Sequence, residues 1–484
     1  MKKSILQTLK SEIQGEVFSG KEFRDFYSVD ASSYKIVPNV VVIPEHEKDV
    51  IRVIKIAKKF KIPVTARGAG TGLVGSALNR GIILDMKKFD SIKISKDHAV
   101  VGSGVVKGNL DQRLGRVNKF FPPNPSIGSF CSIGGMLGNN SSGSRSLKYG
   151  SMIDNVTEIT FVDGNARKIT LPENKKISNK IVNLTRLIEP GRFPNTTKNS
   201  SGYRIDKVRT AKDTHKIIVG SEGTLGVILS AKIRIKRMPE KKILFVIGYE
   251  STHDASRECM EIKRTNPSAI EFMDKFTLNQ IRFRFDRDTE CLLYIEYDEN
   301  IETKESKLKP VITGKIIKKL EKKHEIELWW RYRDLSLHNS LRTIKKERRI
   351  PHVIEDAAVP LSNLPKVFSL LDKINKKYKT KCIVYGHAGN GNVHVRLIAD
   401  RAKIKIIKNI AEEYFDEIIE LGGTITGEHG DGLARSEFVK KQYGAKNYKT
   451  FKEIKKIFDP DNRLNPGKII SKKSTVISNL ETLY

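Results

Sequence analysis

The sequence predicts an α+β protein with two unlike parts. An α/β unit is wound around a glycine loop, and a separate domain of antiparallel strands and helices follows it. Three observations carry this. Strand and helix signals bracket a dense glycine run between residues 40 and 85, and glycines with small polar residues gather again at 122–150 and 219–226. After Pro239 the chain turns to strands alternating with lysine-rich helices.

Residues 1–35 read as an N-terminal helical extension. Val40-Val41-Val42-Ile43 is a buried-strand run stopped by Pro44, after which Val50, Val53, Ile54 and Ala57 recur at helical spacing. Ile62 to Ala66, the run Arg67-Gly68-Ala69-Gly70-Thr71-Gly72-Leu73-Val74-Gly75 and a strand at Ile82 to Asp85 complete the unit. The first domain is expected over 36–239. A second, over 240–455, holds strands such as Ile243 to Gly248 and Leu292 to Glu296, with a charged excursion from Asn300 to Lys323. The segment 456–484, with its turn-rich stretch Phe458 to Lys468, is expected to return to the first domain.

With 484 residues, 38% of them hydrophobic, the chain can bury more than one core. No run of 18 apolar residues predicts a spanning helix, and polar residues follow Met1 too closely for a secretion signal. Cys131, Cys259, Cys291 and Cys382 lie too far apart for a zinc ribbon, a redox dithiol or an iron–sulfur cluster, so an intracellular chain with reduced thiols is expected. Lys and Arg total 88 against 56 Asp and Glu, a net charge of +32. The lysines are spread along the chain with few interleaved aromatics, which argues against nucleic-acid binding and for a basic solvated surface, an acidic partner or an anionic membrane face. The expected location is cytoplasmic or peripheral at the inner membrane face.

Gly70, Gly72 and Gly75 fit the G-x-G-x-x-G spacing of a dinucleotide fingerprint, but that motif must open a crossover helix. Too few residues separate Gly75 from Ile82 for such a helix. The loop reads instead as a backbone nest for a diphosphate, or as a plain turn. Taken with Pro122-Pro123-Asn124-Pro125, Ile133-Gly134-Gly135, Asn139-Asn140-Ser141-Ser142-Gly143, Lys148-Tyr149-Gly150 and Gly220-Ser221-Glu222-Gly223-Thr224-Leu225-Gly226, it resembles the FAD-binding (PCMH, vanillyl-alcohol-oxidase) type. More narrowly, the chain resembles the group of glycolate oxidase D-subunits, D-lactate dehydrogenases and D-2-hydroxyglutarate dehydrogenases, over about residues 36 to 470.

The resemblance implies a PCMH-type FAD-binding domain and a C-terminal domain of the FAD-linked oxidase type. It implies FAD contacts at Arg67, Gly68, Ala69, Gly70, Thr71, Gly72, Ser76, Pro123, Ser132, Gly135, Asn139, Ser142, Gly143, Gly223, Ile228 and Asn465. Thr71 stands where some relatives have a flavin-tethering histidine, so noncovalent FAD is expected.

A second constellation is Tyr385-Gly386-His387-Ala388-Gly389-Asn390-Gly391-Asn392-Val393-His394-Val395-Arg396, followed by Gly427-Glu428-His429-Gly430. Glycines exclude a continuous helix; Val393, Val395 and Leu397 alternate with His394, Arg396 and Ile398 as in a half-buried strand, and the glycine turn can fold His387 back toward them. His387, His394 and Glu428 form a two-imidazole, one-carboxylate set suited to a divalent metal with open positions, zinc first and Mn2+ or Fe2+ next. His429 is left for acid–base work. The resemblance implies the same ligands and the same base.

It also implies a substrate arginine, Arg333, in Trp330-Arg331-Tyr332-Arg333, and substrate-side roles for Lys198, Tyr203, Asn392 and Arg396, the last where relatives often have asparagine. The expected activity is FAD-dependent, metal-assisted oxidation of a D-2-hydroxy acid (D-lactate, glycolate or D-2-hydroxyglutarate). Electrons would pass to an external protein or quinone, and a homodimer is considered. The alternatives are an alkylglycerone-phosphate-synthase-like flavoenzyme and, on charge alone, a nucleic-acid-binding protein.

Overall fold

The computed structural model describes residues 4–343, 352–398, 406–471 and 474–480. Three principal sheets organise it. The first has the order Glu16–Phe18, Val40–Ile43, Ile82–Asp85, Val64–Arg67, parallel except for the antiparallel edge strand Glu16–Phe18. That edge strand lies in the segment expected to be a helical extension; three residues are too short for a period-2 pattern to stand out. The helix Glu47–Phe60 packs Val50, Val53, Ile54 and Ala57 into the core of this sheet, the burial of each of the three larger side chains stabilising by about 1.5–3 kcal/mol. Glu47 and Asp49 stand in its first turn, where the helix dipole favours acids.

The second sheet is antiparallel, in the order Ile92–Ile94, His98–Gly102, Val227–Arg234, Val156–Val162, Lys168–Leu171. Between it and the first sheet run the glycine loops. Gly70 and Gly75 have φ of +70° and +72°, which a Cβ would strain. The short helix Ile133–Asn139 is capped by Ser132, whose hydroxyl accepts the Gly135 N–H at 3.2 Å.

The third sheet is antiparallel and six-stranded: Lys315–Leu320, Ile243–Tyr249, Cys291–Tyr297, Ala269–Asp274, Lys381–His387, Asn392–Ile398. The charged excursion thus ends in an edge strand, where exposed lysines discourage further pairing. The helix before Gly422 spans Ile406–Glu420, and Gly422 at φ +74° follows it.

The two halves are joined through charge. Arg145 grips Glu296 with two bonds of 2.6 and 2.7 Å, Trp330 Nε1 donates to the same carboxylate, and Lys148 and Tyr149 both meet Asp298. The end of the chain returns to the first sheet: Leu464 bridges Val64, and the buried Lys455 ammonium donates to the Thr224 and Leu464 carbonyls. Among the described residues no helix is long and apolar enough to cross a membrane.

Candidate active site

A cavity of about 460 Å3 lies between the glycine loops and the third sheet, within the roughly 300–1,000 Å3 typical of cofactor and ligand clefts. On the loop side its wall includes Arg67, Gly68, Ala69, Gly70, Thr71, Gly72, Ser76, Ser132, Gly135, Asn139, Ser142, Gly223 and Ile228. On the sheet side stand Arg333, Tyr385, His387, His394, Arg396, Glu428 and His429.

The loop side has the character of an FAD cradle. A Cβ on Gly68 would lie 2.1 Å from Ser132 Oγ, so only glycine lets that backbone approach the capped helix. Ser103 lies on the same wall, and its buried hydroxyl has no protein partner.

Three of the residues matched to the cofactor lie off this wall. Pro123 is buried behind it. Gly143, at φ +149°, lets the chain pass the Asn124 carbonyl, which a Cβ would meet at 2.0 Å. Asn465 is buried beneath the loops and ties them together: it donates to the Ser76 and Glu222 carbonyls and accepts from Thr65 Oγ1.

On the sheet side the hairpin Lys381–His387 to Asn392–Ile398 pairs Tyr385 with His394 and His387 with Asn392. Its turn, with Gly391 at φ +65°, folds the two histidines together, with ring centroids 5.1 Å apart. Three imidazoles converge on Glu428 Oε1: His387 Nε2 at 3.0 Å, His394 Nε2 at 3.3 Å and His429 Nε2 at 3.7 Å. Glu428 Oε2 is occupied by Lys198 Nζ at 3.0 Å and by the Ser142 hydroxyl. Burial alone would raise the Glu428 carboxyl, but Lys198 and His387 hold it well below the ordinary carboxylate range.

The donor atoms of Asp356, His394, Glu428 and His429 all lie within 4.8 Å of one another. This group shares His394 and Glu428 with the set expected from sequence, and has Asp356 and His429 where that set has His387. The two sets differ in how their members are hydrogen-bonded. Asp356 Oδ2 is taken by the backbone N–H groups of Glu428 and His429 and by the Thr426 hydroxyl, and Oδ1 accepts from Asn392. Asp356 therefore anchors the backbone that presents the site. His387 has Nδ1 held by Glu271 Oε1 at 2.6 Å, which leaves Nε2 facing Glu428, the carboxylate-to-histidine arrangement that orients metal ligands. Two imidazoles and a carboxylate oxygen thus fit a divalent cation.

His429 is stacked on His394, with centroids 4.9 Å apart and an 11° interplanar angle. Its Nδ1 lies 2.7 Å from Glu355 Oε2. Burial pushes its pKa down, and Glu355 with Asp356 more than reverses this, to about 9. Glu355, held well below the ordinary carboxylate range, stays ionised to orient the ring.

Other expected substrate residues separate. Arg333 is on the wall, but Nη2 is held by Glu271 at 2.5 Å and Nη1 by Asp334 at 3.1 Å. Lys198 and Asn392 are buried behind the wall, bonded to each other at 3.2 Å, and so position Glu428 and Asp356. Tyr203 is fully buried, its hydroxyl on Thr224 Oγ1 and its ring against Phe451, away from the cavity. Sequence reasoning missed Glu271, which serves both His387 and Arg333. Its only signal was a lone acid inside the apolar run Ala269-Ile270-Glu271-Phe272-Met273.

Two families match the chain: the FAD binding domain over residues 38–171, and FAD linked oxidases, C-terminal domain, over 238–469. Glycolate oxidase subunit GlcD of Bacillus subtilis (strain 168) is 28% identical over 465 residues, covering 92% of this chain and 92% of the relative. D-lactate dehydrogenase of Archaeoglobus fulgidus is 29% identical over 470 residues, covering 93% and 96%. D-2-hydroxyglutarate dehydrogenase of Escherichia coli (strain K12) is 27% identical over 538 residues, covering 96% of this chain and 51% of the relative. Among solved structures, alkyldihydroxyacetonephosphate synthase matches 96% of this chain and 85% of its own with a TM-score of 0.66 at 17% identity, a likeness of fold alone. With an FAD-binding half and an FAD-linked oxidase half both recognised, the chain belongs to the FAD-dependent oxidoreductases built from that pair of domains.

Proposed function

We propose that the protein oxidises the C2 hydroxyl of a D-2-hydroxy acid to the 2-oxo acid, with D-lactate, glycolate and D-2-hydroxyglutarate as the candidate substrates. The carrying observation is the convergence of His387, His394 and His429 on Glu428 Oε1 in a cavity whose opposite wall is the glycine cradle. The relatives named for these acids support the substrate class.

FAD, when bound, supplies a two-electron acceptor. A divalent cation held by His387, His394 and Glu428 supplies Lewis acidity, of the kind that lowers the pKa of bound water from about 15.7 to about 7. The chain's own residues do the rest. Glu271 fixes the His387 ring, while Lys198 and Ser142 hold one oxygen of Glu428 so that the other faces the imidazoles. Asp356 locks the Glu428-His429 backbone so that the two side chains serve different tasks. His429, with Nδ1 on Glu355, keeps Nε2 toward the cavity to accept the hydroxyl proton. A cation held beside Glu428 would act against the rise that Glu355 and Asp356 give the His429 pKa.

The single histidine of Gly427-Glu428-His429-Gly430 supports dehydrogenation over the ether-lipid alternative, whose enzymes resemble one another in a run of adjacent histidines. The spread of basic residues along the chain, with few interleaved aromatics, argues against nucleic-acid binding. The test is anaerobic bleaching of the bound flavin by the three acids. His429→Ala should retain FAD and metal and slow flavin reduction by roughly 10²–10⁴-fold, the usual contribution of a general base. Reduction at the wild-type rate by that variant would remove His429 as the base.

A further inference from the structure

The cavity's capacity for anions is unevenly spent. Two arginines stand on its sheet side, Arg333 and Arg396, each 6% exposed. Arg333 is held by Glu271 at Nη2 and by Asp334 at Nη1, which leaves its Nε alone unmet. Arg396 has no hydrogen-bond partner at Nε or Nη1. Its neighbouring carboxylate, Glu355, approaches Nη2 at 3.3 Å, but that carboxylate also serves His429 at 2.7 Å and Arg435 at 3.3 Å. One carboxylate thus faces four basic side chains, His394 at 3.5 Å included, and although the Tyr385 hydroxyl also meets the guanidinium, the Nε and Nη1 donors of Arg396 remain unmet in a buried site. Such donors are costly to desolvate unless an acceptor joins them, and a carboxylate is the acceptor their charge favours.

Position narrows the ligand. His394 and Arg396 share one face of the strand Asn392–Ile398, and two residues along a strand is about 7 Å. On the functional reading above, the hydroxyl and C1 carboxylate of the substrate occupy the His387, His394 and Glu428 cluster. A monocarboxylate held there leaves Arg396 unmet, whereas a second carboxylate further along the carbon chain satisfies it. We propose that Arg396 is a specificity-determining residue that seats a second carboxylate, so that the substrates of this site are 2-hydroxy dicarboxylates. The proposal rests on that reading of the reaction.

The test compares D-2-hydroxyglutarate with D-2-hydroxypentanoate, which has the same carbon count and no second carboxylate, using the holoenzyme and an artificial electron acceptor. A charge-assisted hydrogen bond predicts a wild-type kcat/KM preference of roughly 10- to 150-fold for the dicarboxylate. Arg396→Gln should erase most of that preference through a higher KM for the dicarboxylate, and Arg396→Lys should restore part of it. If the glutamine variant fails to fold, the preference of the lysine variant relative to wild type decides.

Calorimetric titration with glutarate, which lacks the oxidisable hydroxyl, should show binding that weakens by a similar factor in Arg396→Gln, with pentanoate indifferent to the change. A wild-type preference for D-2-hydroxypentanoate, an equal loss for both substrates, or glutarate binding that ignores Arg396 overturns the proposal. Should no D-2-hydroxy acid bleach the flavin, the reading of the reaction falls by itself. Arg396-dependent glutarate binding would then still support the second-carboxylate seat, and its absence would overturn it.

Discussion

Glu271→Gln replaces one buried oxygen by an amide and removes a charge that two cations share. Glu271 is fully buried, with Arg333 Nη2 at 2.5 Å and His387 Nδ1 at 2.6 Å. Burial raises its carboxyl, yet His387 and Arg333 override this and bring it from 4.5 to about 2. At 1.36 kcal/mol for each pKa unit, that difference corresponds to about 3 kcal/mol of native-state stabilisation at neutral pH.

The folded-state pKa lies below the unfolded one, so the contribution is present above pH 4.5 and is lost as pH falls toward 2. In scanning calorimetry at pH 7 the transition of the C-terminal domain should drop by roughly 6–12 °C, from about 2–4 °C for each kcal/mol in a domain of that size. The gap between wild type and variant should narrow below pH 4.5. Because the amide no longer fixes the His387 ring as a carboxylate does, metal affinity should also fall, by about 10- to 100-fold. An unchanged transition at pH 7 together with undiminished metal content would refute the argument that Glu271 holds this site.

Two further outcomes follow from particular contacts. Gly68→Ala places a methyl 2.1 Å from Ser132 Oγ, so the backbone of the cradle must shift; the purified variant should lose FAD on gel filtration while far-UV circular dichroism stays native. Burial and Lys216 press the pKa of His215 from 6.5 down to about 4, with Nε2 on the Val156 carbonyl. A lowered folded-state pKa means that its stability contribution is lost as pH falls from 6.5 toward 4, by about 3 kcal/mol in all. Urea midpoints measured across that window for wild type and His215→Leu should differ in slope, and parallel profiles would contradict the assignment.

Local patterns made much of the molecule legible. Val40 to Ile43, the Val50-Val53-Ile54-Ala57 repeat and Ile82 to Asp85 announced the first α/β unit because buried strands and amphipathic helices leave periodicities within a few residues. The glycine-broken hairpin was likewise readable, since alternation put His394 and Arg396 on one face and the turn fixed where His387 must return.

Long-range partners were decided only in three dimensions. Nothing near Glu271 or Asp356 in the chain reveals that one braces His387 and the other pins the Glu428-His429 backbone, because hydrogen bonds across 116 and 72 positions leave no local period. The same holds for Tyr203 and Asn465: motif position put them on the substrate and cofactor sides, while packing against Phe451 and beneath the loops set them in the framework. Residue type and spacing thus determined which donor groups the chain brings to the cavity. Folding decided which donors stay spent and which, like those of Arg396, stay open, because burial removes water as the alternative partner and makes each unmet group count.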